Sequence, residues 1–253
     1  MRFSKPLLIT KLKATGVHLG LSIVIFIVMV YQIYYNWYPQ PYFSIDGGWQ
    51  GVRIVAAVDL VLGPLITFLI FDLSKSRREI VLDLITIVTI QLGALSYGIY
   101  QTHSQRPVLL AQIGQFMISA TMEQVDGKVG SASDLYLYSD EKPPIIYADL
   151  QLDQKTMAEI ANIDLWNNVL EYVQTQSKDP KSEFVAAIKS MQPELLRLLD
   201  AFESREPYQA WLQQNNKKQD EIMVSRFVGR YGAVWLVFDL DGKLLSYFAD
   251  ASL

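Results

Sequence analysis

The sequence predicts a membrane protein, with three transmembrane α-helices followed by an α+β extracytoplasmic domain. Three observations lead there. The first hundred residues hold three long apolar runs, charge density rises sharply after them, and Lys and Arg flank alternate ends of the runs. The expected organisation is a basic cytoplasmic N-terminus over 1–15, a three-helix membrane region over 16–105 and a periplasmic domain over 106–253.

Charge separates the regions better than average composition does. Residues 1–100 carry eight Lys/Arg and five Asp/Glu, while 101–253 carry fourteen and twenty-one, giving +3 and −7. A domain at −7 repels nucleic acid, and no Lys/Arg stripe offsets that. The absence of cysteine excludes disulfides, thiolate metal sites and cysteine catalysis.

The first run extends from about Gly16 to Tyr35 without a charge. At 1.5 Å per residue, ~20 residues cross a ~30 Å hydrocarbon layer. A cleaved signal peptide competes, because Arg2, Lys5, Lys11 and Lys13 precede the run. Its apolar core would be too long, and Tyr34-Tyr35-Asn36-Trp37 is no small-residue cleavage site. The second span covers about 52–71 and the third about 80–100. Only Asp72 to Glu79 lies between them, so they form an antiparallel hairpin. Both are apolar all round, as a soluble helical hairpin is not. The N-terminus carries four basic residues, the loop 36–50 none, and the loop 73–79 has Lys75, Arg77 and Arg78. Basic segments face the cytoplasm, so Trp37, Tyr38, Tyr42, Phe43 and Trp49 form an aromatic belt opposite. Three crossings then export the C-terminal domain, into the periplasm of a Gram-negative cell.

In that domain, Val108–Ile113 and Phe116–Met122 around Gly114 read as a strand pair. Asp126-Gly127 and Pro143-Pro144 mark loops around short strands at Leu135–Tyr138 and Ile145–Tyr147. From about Asp153 to Met223 the pattern is helical. Asp164 and Asp179-Pro180 serve as caps, and Pro193 and Pro207 set later helix starts. Phe184, Val185, Ile188 and Met191 line one helix face; Leu195, Leu196, Leu199 and Phe202 line the next. Asp241-Gly242 turns a closing hairpin of 232–239 and 243–249, with Trp235, Val237, Leu244 and Tyr247 as core.

No catalytic or cofactor motif emerges. The two histidines, His18 and His103, allow no His-based triad or His-rich metal site, and phosphate-loop, HExxH and GxSxG patterns are missing. Asp59 and Asp83 differ by roughly 15 Å in depth at 1.5 Å per residue, too far for a shared-proton protease dyad. Asp83 snorkels to the interface beside Arg77 or Arg78. Asp59 has no such escape, and a carboxylate there costs ~2.5 kcal/mol or more unless protonated, paired or shielded. Two readings stand: it bonds within the bundle, for instance to Gln91 or Thr89, or it offers a polar contact to a foreign helix. Gly63, Gly93 and Ala94 permit close helix approach, and Pro64 kinks the second span.

The segments "WYP" at 37–39, "DGGWQGVRIVAAVDLVLGPLITFLIFD" at 46–72 and "QLGALSYGIYQTHSQRPV" at 91–108 resemble the type IV pilin accessory proteins of the TfpX/TfpZ type. The resemblance covers roughly residues 15–110, with Gly229-Arg230-Tyr231 and Val237-Phe238-Asp239 matching further on. It implies a non-enzymatic inner-membrane protein that assists one major pilin. Motif positions carried over are Trp37, Tyr38, Pro39, Asp46, Gly47, Gly48, Trp49, Gln50, Gly51, Arg53, Asp59, Gly63, Pro64, Gln91 and Pro107. The implied partners are membrane lipid and a type IV major pilin, its transmembrane helix on spans two and three and its head on 106–253. The loop Asp46–Gly51 either receives the boundary between pilin helix and head, or turns at Gly47-Gly48 while Arg53 pairs with Asp46. Two further functions stay open: a membrane enzyme modifying pilin or a lipid-linked substrate, and a periplasmic ligand sensor.

Overall fold

A computed structural model describes residues 5–72, 75–125, 132–137, 139–150 and 163–251. They form two compact units, one of residues 1–43 and 47–104, the other of residues 44–46 and 105–253.

The first unit is helical. Helix α1 (Lys5–Tyr31) runs on through a π-helical segment at Gln32–Trp37. Helix α2 (Gly48–Ala56) continues through a second π segment (Ala57–Leu62) into α3 (Gly63–Ile70), and α4 (Arg77–Ser104) follows. Three helical stretches are thus long and apolar enough to cross a membrane: Leu7–Trp37, Gly48–Ile70 and Arg77–Ser104. The first helix extends N-terminally beyond the uncharged run read from Gly16, and Lys11 within it is buried. Its Nζ donates to the carbonyls of Phe68 and Leu69, both at 3.1 Å, capping the C-terminal end of α3. A π turn, Ala57–Leu62, immediately precedes Gly63-Pro64. Pro64 has no N–H for the carbonyl four residues back, and Gly63 N–H bonds instead to Val58, five residues back.

Bundle packing is thin. A core of Met29, Ile33, Tyr38, Val52, Val55 and Leu95 lies toward the aromatic end. Only 11%, 28% and 11% of the residues in the three apolar windows are buried. Leu, Ile and Val side chains such as Val24, Ile27, Leu69, Leu82 and Ile85 stand exposed. Contiguous apolar surface on that scale belongs in lipid or against a partner.

The second unit is built on a six-stranded mixed sheet in the order β3-β1-β2-β4-β5-β6. The strands are β1 (Pro107–Ile113), β2 (Phe116–Thr121), β3 (Ile145–Tyr147), β4 (Met223–Val228), β5 (Ala233–Phe238) and β6 (Leu244–Ala249). β1–β2 and β4–β5–β6 pair antiparallel, whereas β3 joins β1, and β4 joins β2, in parallel. Helix α5 (Ile163–Thr175) buries Trp166, Val169 and Val173 against the β1–β2–β3 half. Helices α6 (Pro180–Ala201) and α7 (Arg205–Gln214) bring Leu199, Tyr208 and Trp211 to Val224, Trp235 and Val237 in the other half.

Both hairpins occur where expected. The closing turn depends on Gly242, whose φ is +82°, and a Cβ there would sit 2.5 Å from Val185 Cγ2. Asp239 braces that turn by accepting from the backbone N–H groups of Asp241 (3.0 Å) and Lys243 (2.8 Å). Asp179 caps α6 from its side chain, accepting from Ser182 N–H, with Pro180 in the first turn. The cap expected from Asp164, the Asp126-Gly127 loop and the start near Asp153 lie outside the described residues or side chains.

Four expectations are overturned. Leu135–Leu137 lie in a 3-10 helix, Ala132–Leu137, not in a strand, and Asp134 near its start favours turn bonding over a ladder, while Tyr138 lies outside the described residues. Pro193 starts no helix and lies inside α6, on its exposed side, where water can serve the carbonyl it leaves unpaired. Phe184, Ile188, Leu195 and Leu199 therefore form one continuous buried stripe. The helical pattern does not reach Met223, because 223–228 is the central strand β4. Among the expected core residues of the last hairpin, Trp235 and Val237 are buried, Leu244 is half-buried and Tyr247 is exposed; Phe248 fills the core instead.

Candidate functional site

Inside the helical unit, the π turn at Ala57–Leu62 packs against both α1 and α4 and turns Asp59 inward, leaving it 1% exposed. Gln91 on α4 meets it. Its Nε2 donates to Asp59 Oδ1 at 2.8 Å and to the Val58 carbonyl at 3.2 Å. That bond is one of the two readings of Asp59 made above. From α1, His18 Nδ1 lies 2.5 Å from Thr67 Oγ1 of α3, and that hydroxyl donates to the Gly63 carbonyl at 3.1 Å. Gly63 leaves the space these groups share, since a Cβ there would lie 2.5 Å from Gln91 Oε1 and 2.9 Å from His18 Nε2. Asp59 Oδ2 and Gln91 Oε1 are buried with no hydrogen-bond partner among the described residues. This polar cluster inside an apolar bundle is the candidate site. Polar groups at such positions are expensive and commonly functional.

The sequence singled out Asp59, Gly63, Pro64 and Gln91, and the structure brings all four to this region. It missed His18 and Thr67. Thr67 completes an i, i+4 pair with Gly63, and His18 is the sole histidine within the first apolar run, so both were visible as polar residues without their partners.

Asp83 stands apart from the cluster. Its expected neighbours were Arg77 or Arg78; the observed partner is Lys75, at 2.6 Å. Lys75 also donates to the Ile70 carbonyl, so the lysine bridges the end of α3 to α4. Ser76 and Glu79 exchange backbone bonds as a capping box at the α4 start.

The glycine-rich motif divides. Gly47 (φ 114°) is the N-cap of α2, Gly48 meets Phe43 and Tyr38, and Gly51 abuts the Thr102 side chain. Tyr38 Oη donates to the Thr102 carbonyl at 2.9 Å, and Trp37 packs edge-on to His103. Trp49 is exposed with Arg53 5.4 Å above its ring, and Gln50 holds its Oε1 buried. Asp46 does not pair with Arg53. In the second unit it is fully buried, accepting from Arg230 Nε (3.1 Å), Arg230 N–H (3.2 Å) and Ser119 Oγ (2.6 Å). Arg230 also donates to the Asp46 and Gln105 carbonyls. Arg53 is exposed and lies over the Trp49 ring, while Arg230 presents a planar fork that matches the carboxylate.

Fold and site together define a class: a thinly packed, apolar three-helix unit with a polar centre, continued by a mixed-sheet α+β unit. The family model for the fimbrial assembly protein FimB matches residues 6–47. A fimbrial assembly protein of Dichelobacter nodosus, serogroups C1 and C2, is 34% identical over 96 residues, which is 38% of this chain and 73% of that protein. The serogroup E1 and serogroup I proteins of the same organism are 35% and 34% identical over 96 residues, again 38% of this chain. The chain belongs to the fimbrial assembly protein family. The matched stretch spans only 37% of the length of the E1 and I relatives. No solved structure matches the chain.

Proposed function

We propose that this protein is an inner-membrane accessory factor of the TfpX/TfpZ kind. It binds a type IV major pilin before assembly, stabilises it and promotes its incorporation into fimbriae, without catalysis. The three apolar stretches span the bilayer with the N-terminus in the cytoplasm and residues 106–253 in the periplasm. Lys11 and Lys75, both at the α3 C-terminal end, support the first part of that orientation. Exposed Tyr31, Tyr35, Trp49, Tyr97 and Tyr100 at the other ends of the helices support the second.

The observation that carries the reading is the unburied apolar flank of α3 and α4, in a chain whose relatives are named for fimbrial assembly. A pilin subunit waiting in the membrane presents an apolar helix with a soluble head. The flank supplies lateral surface for the helix, and the acidic second unit supplies a field for the head. Photo-crosslinkers at Leu82, Ile85 and Tyr97, in cells at native expression, test this. Pilin adducts at these positions are expected, with fewer from Lys13. Absence of pilin from every adduct rejects the direct-binding reading. Alkaline phosphatase fused after Leu253 should be active if the proposed topology holds.

A further inference from the structure

Of the Lys and Arg in the first hundred residues, only Arg53 lies outside the N-terminal segment and the loop 73–79. It stands exposed near the start of the apolar stretch Gly48–Ile70 and makes no ion pair among the described residues. The acids of the helical unit are committed or distant. Asp72, Glu79 and Asp83 lie at the opposite end, where α3 stops and α4 begins, and Asp59 is buried against Gln91. Asp46, the partner expected for Arg53, is held by Arg230 in the other unit. A guanidinium at the edge of a hydrocarbon layer is costly unless it reaches an anion.

The Trp49 ring sets where that anion must lie. Helix side chains lean over the preceding turn, and Arg53 Cζ lies 5.4 Å from the Trp49 ring centroid, so the charge is carried toward the aromatic end. Phe43 backs Trp49 edge-on at 6.2 Å, and ring contacts continue through Tyr34 and Tyr35 to Tyr31. Trp49, Tyr31 and Tyr35 are exposed, and such rings settle at the headgroup level of a bilayer. The abundant anion at that level is the lipid phosphate, whose oxygens fit the guanidinium fork.

We propose that Arg53, stacked on Trp49, binds the phosphodiester of a phospholipid in the leaflet on the aromatic side of the helices. The ring covers one face of the guanidinium and leaves the N–H donors along its edge for the phosphate. The lipid supplies the negative charge that the helical unit lacks at this end. This inference rests on the three stretches crossing a bilayer and is independent of pilin binding.

The test uses full-length protein, first incorporated into nanodiscs to establish insertion. A second sample is stripped of lipid in mild detergent and titrated with phosphatidylglycerol, with binding read by native mass spectrometry. Arg53→Gln should bind phosphatidylglycerol roughly tenfold more weakly than the unmodified protein. Diacylglycerol, which lacks the phosphate, should bind both alike. Equal phosphatidylglycerol binding by the two proteins overturns the proposal and leaves Arg53 to a carboxylate on a partner helix. Arg53-dependent binding of millimolar inorganic phosphate that phosphatidylglycerol does not displace also overturns it, since a free anion is then the ligand. Should Arg53→Gln not fold, Trp49→Leu serves: it removes the stacking ring and should also weaken phosphatidylglycerol, and unchanged binding counts against the site. Failure to enter nanodiscs overturns the bilayer reading and this inference together, whereas insertion without an effect at Arg53 overturns this inference alone.

Discussion

Both units bury aspartates, and they treat them differently. In the sheet unit, Asp46 is matched by the Arg230 fork and Ser119, and Asp250 by Arg226 Nε at 2.6 Å with Ser204 beside it. Arg226 is further held by the Phe202 ring, 3.7 Å from its Cζ. In the helical unit, Asp59 has one neutral amide and an oxygen with no described partner. Closed ion pairs of the first kind hold segments in register. An arrangement of the second kind leaves a buried carboxylate oxygen with no hydrogen-bond partner among the described residues.

The largest expected effect tests the closed side of this contrast. Arg226→Met strands the fully buried Asp250 carboxylate and should cost about 3–5 kcal/mol, read as lost denaturant resistance of the sheet unit. The double variant Arg226→Met, Asp250→Leu should recover most of that loss; failure to do so would mean the pair does more than neutralise itself. Next is Asp59→Asn, which keeps shape and an oxygen for the Gln91 amide. It should change folding stability by no more than about 1 kcal/mol, measured by unfolding in mild detergent. A loss as large as that of Arg226→Met would erase the distinction between the two kinds of site.

The smallest effect concerns an exposed pair. Arg205 bonds the Asp200 carboxylate at 2.8 and 2.9 Å and holds its pKa below the usual carboxylate range. A carboxyl depressed in the folded state contributes stability above its unfolded value, about 3.9, and loses it as pH falls through the lower folded value. Arg205→Met should therefore flatten stability against pH slightly below about pH 4, and less so at high salt, since exposed pairs are screened.

Elements whose signal is local were legible. The apolar runs, the Asp179-Pro180 cap and the two hairpin turns each depend on neighbours within a few residues; the runs lie inside the observed helices, save for Phe71 at the end of α3, and the cap and turns fall where they were expected. Strand β4 was not. It is buried on both faces, so it shows no alternation, and Ser225 and Arg226 interrupt its apolar character. Those two residues are acceptable there only because Gln112 and Asp250, distant in sequence, meet them. Pro193 misled for a related reason: a proline on an exposed helix face costs little, and burial on the opposite face carries the helix through. In the candidate site, Asp59 and Gln91 were readable as polar residues in apolar helices. Their partnership with His18 and Thr67 was not, because it joins residues 49 apart through space.

Length, hydropathy and charge placement alone settled that three long apolar helices precede a mixed α+β region, since these depend on how each segment meets its solvent. Which carboxylate found an arginine was decided only in three dimensions. Asp46 lies seven residues from Arg53 and 184 from Arg230, yet it is Arg230 that it pairs with. An ion pair forms where packing brings charges together and excludes water, and separation along the chain does not report that distance.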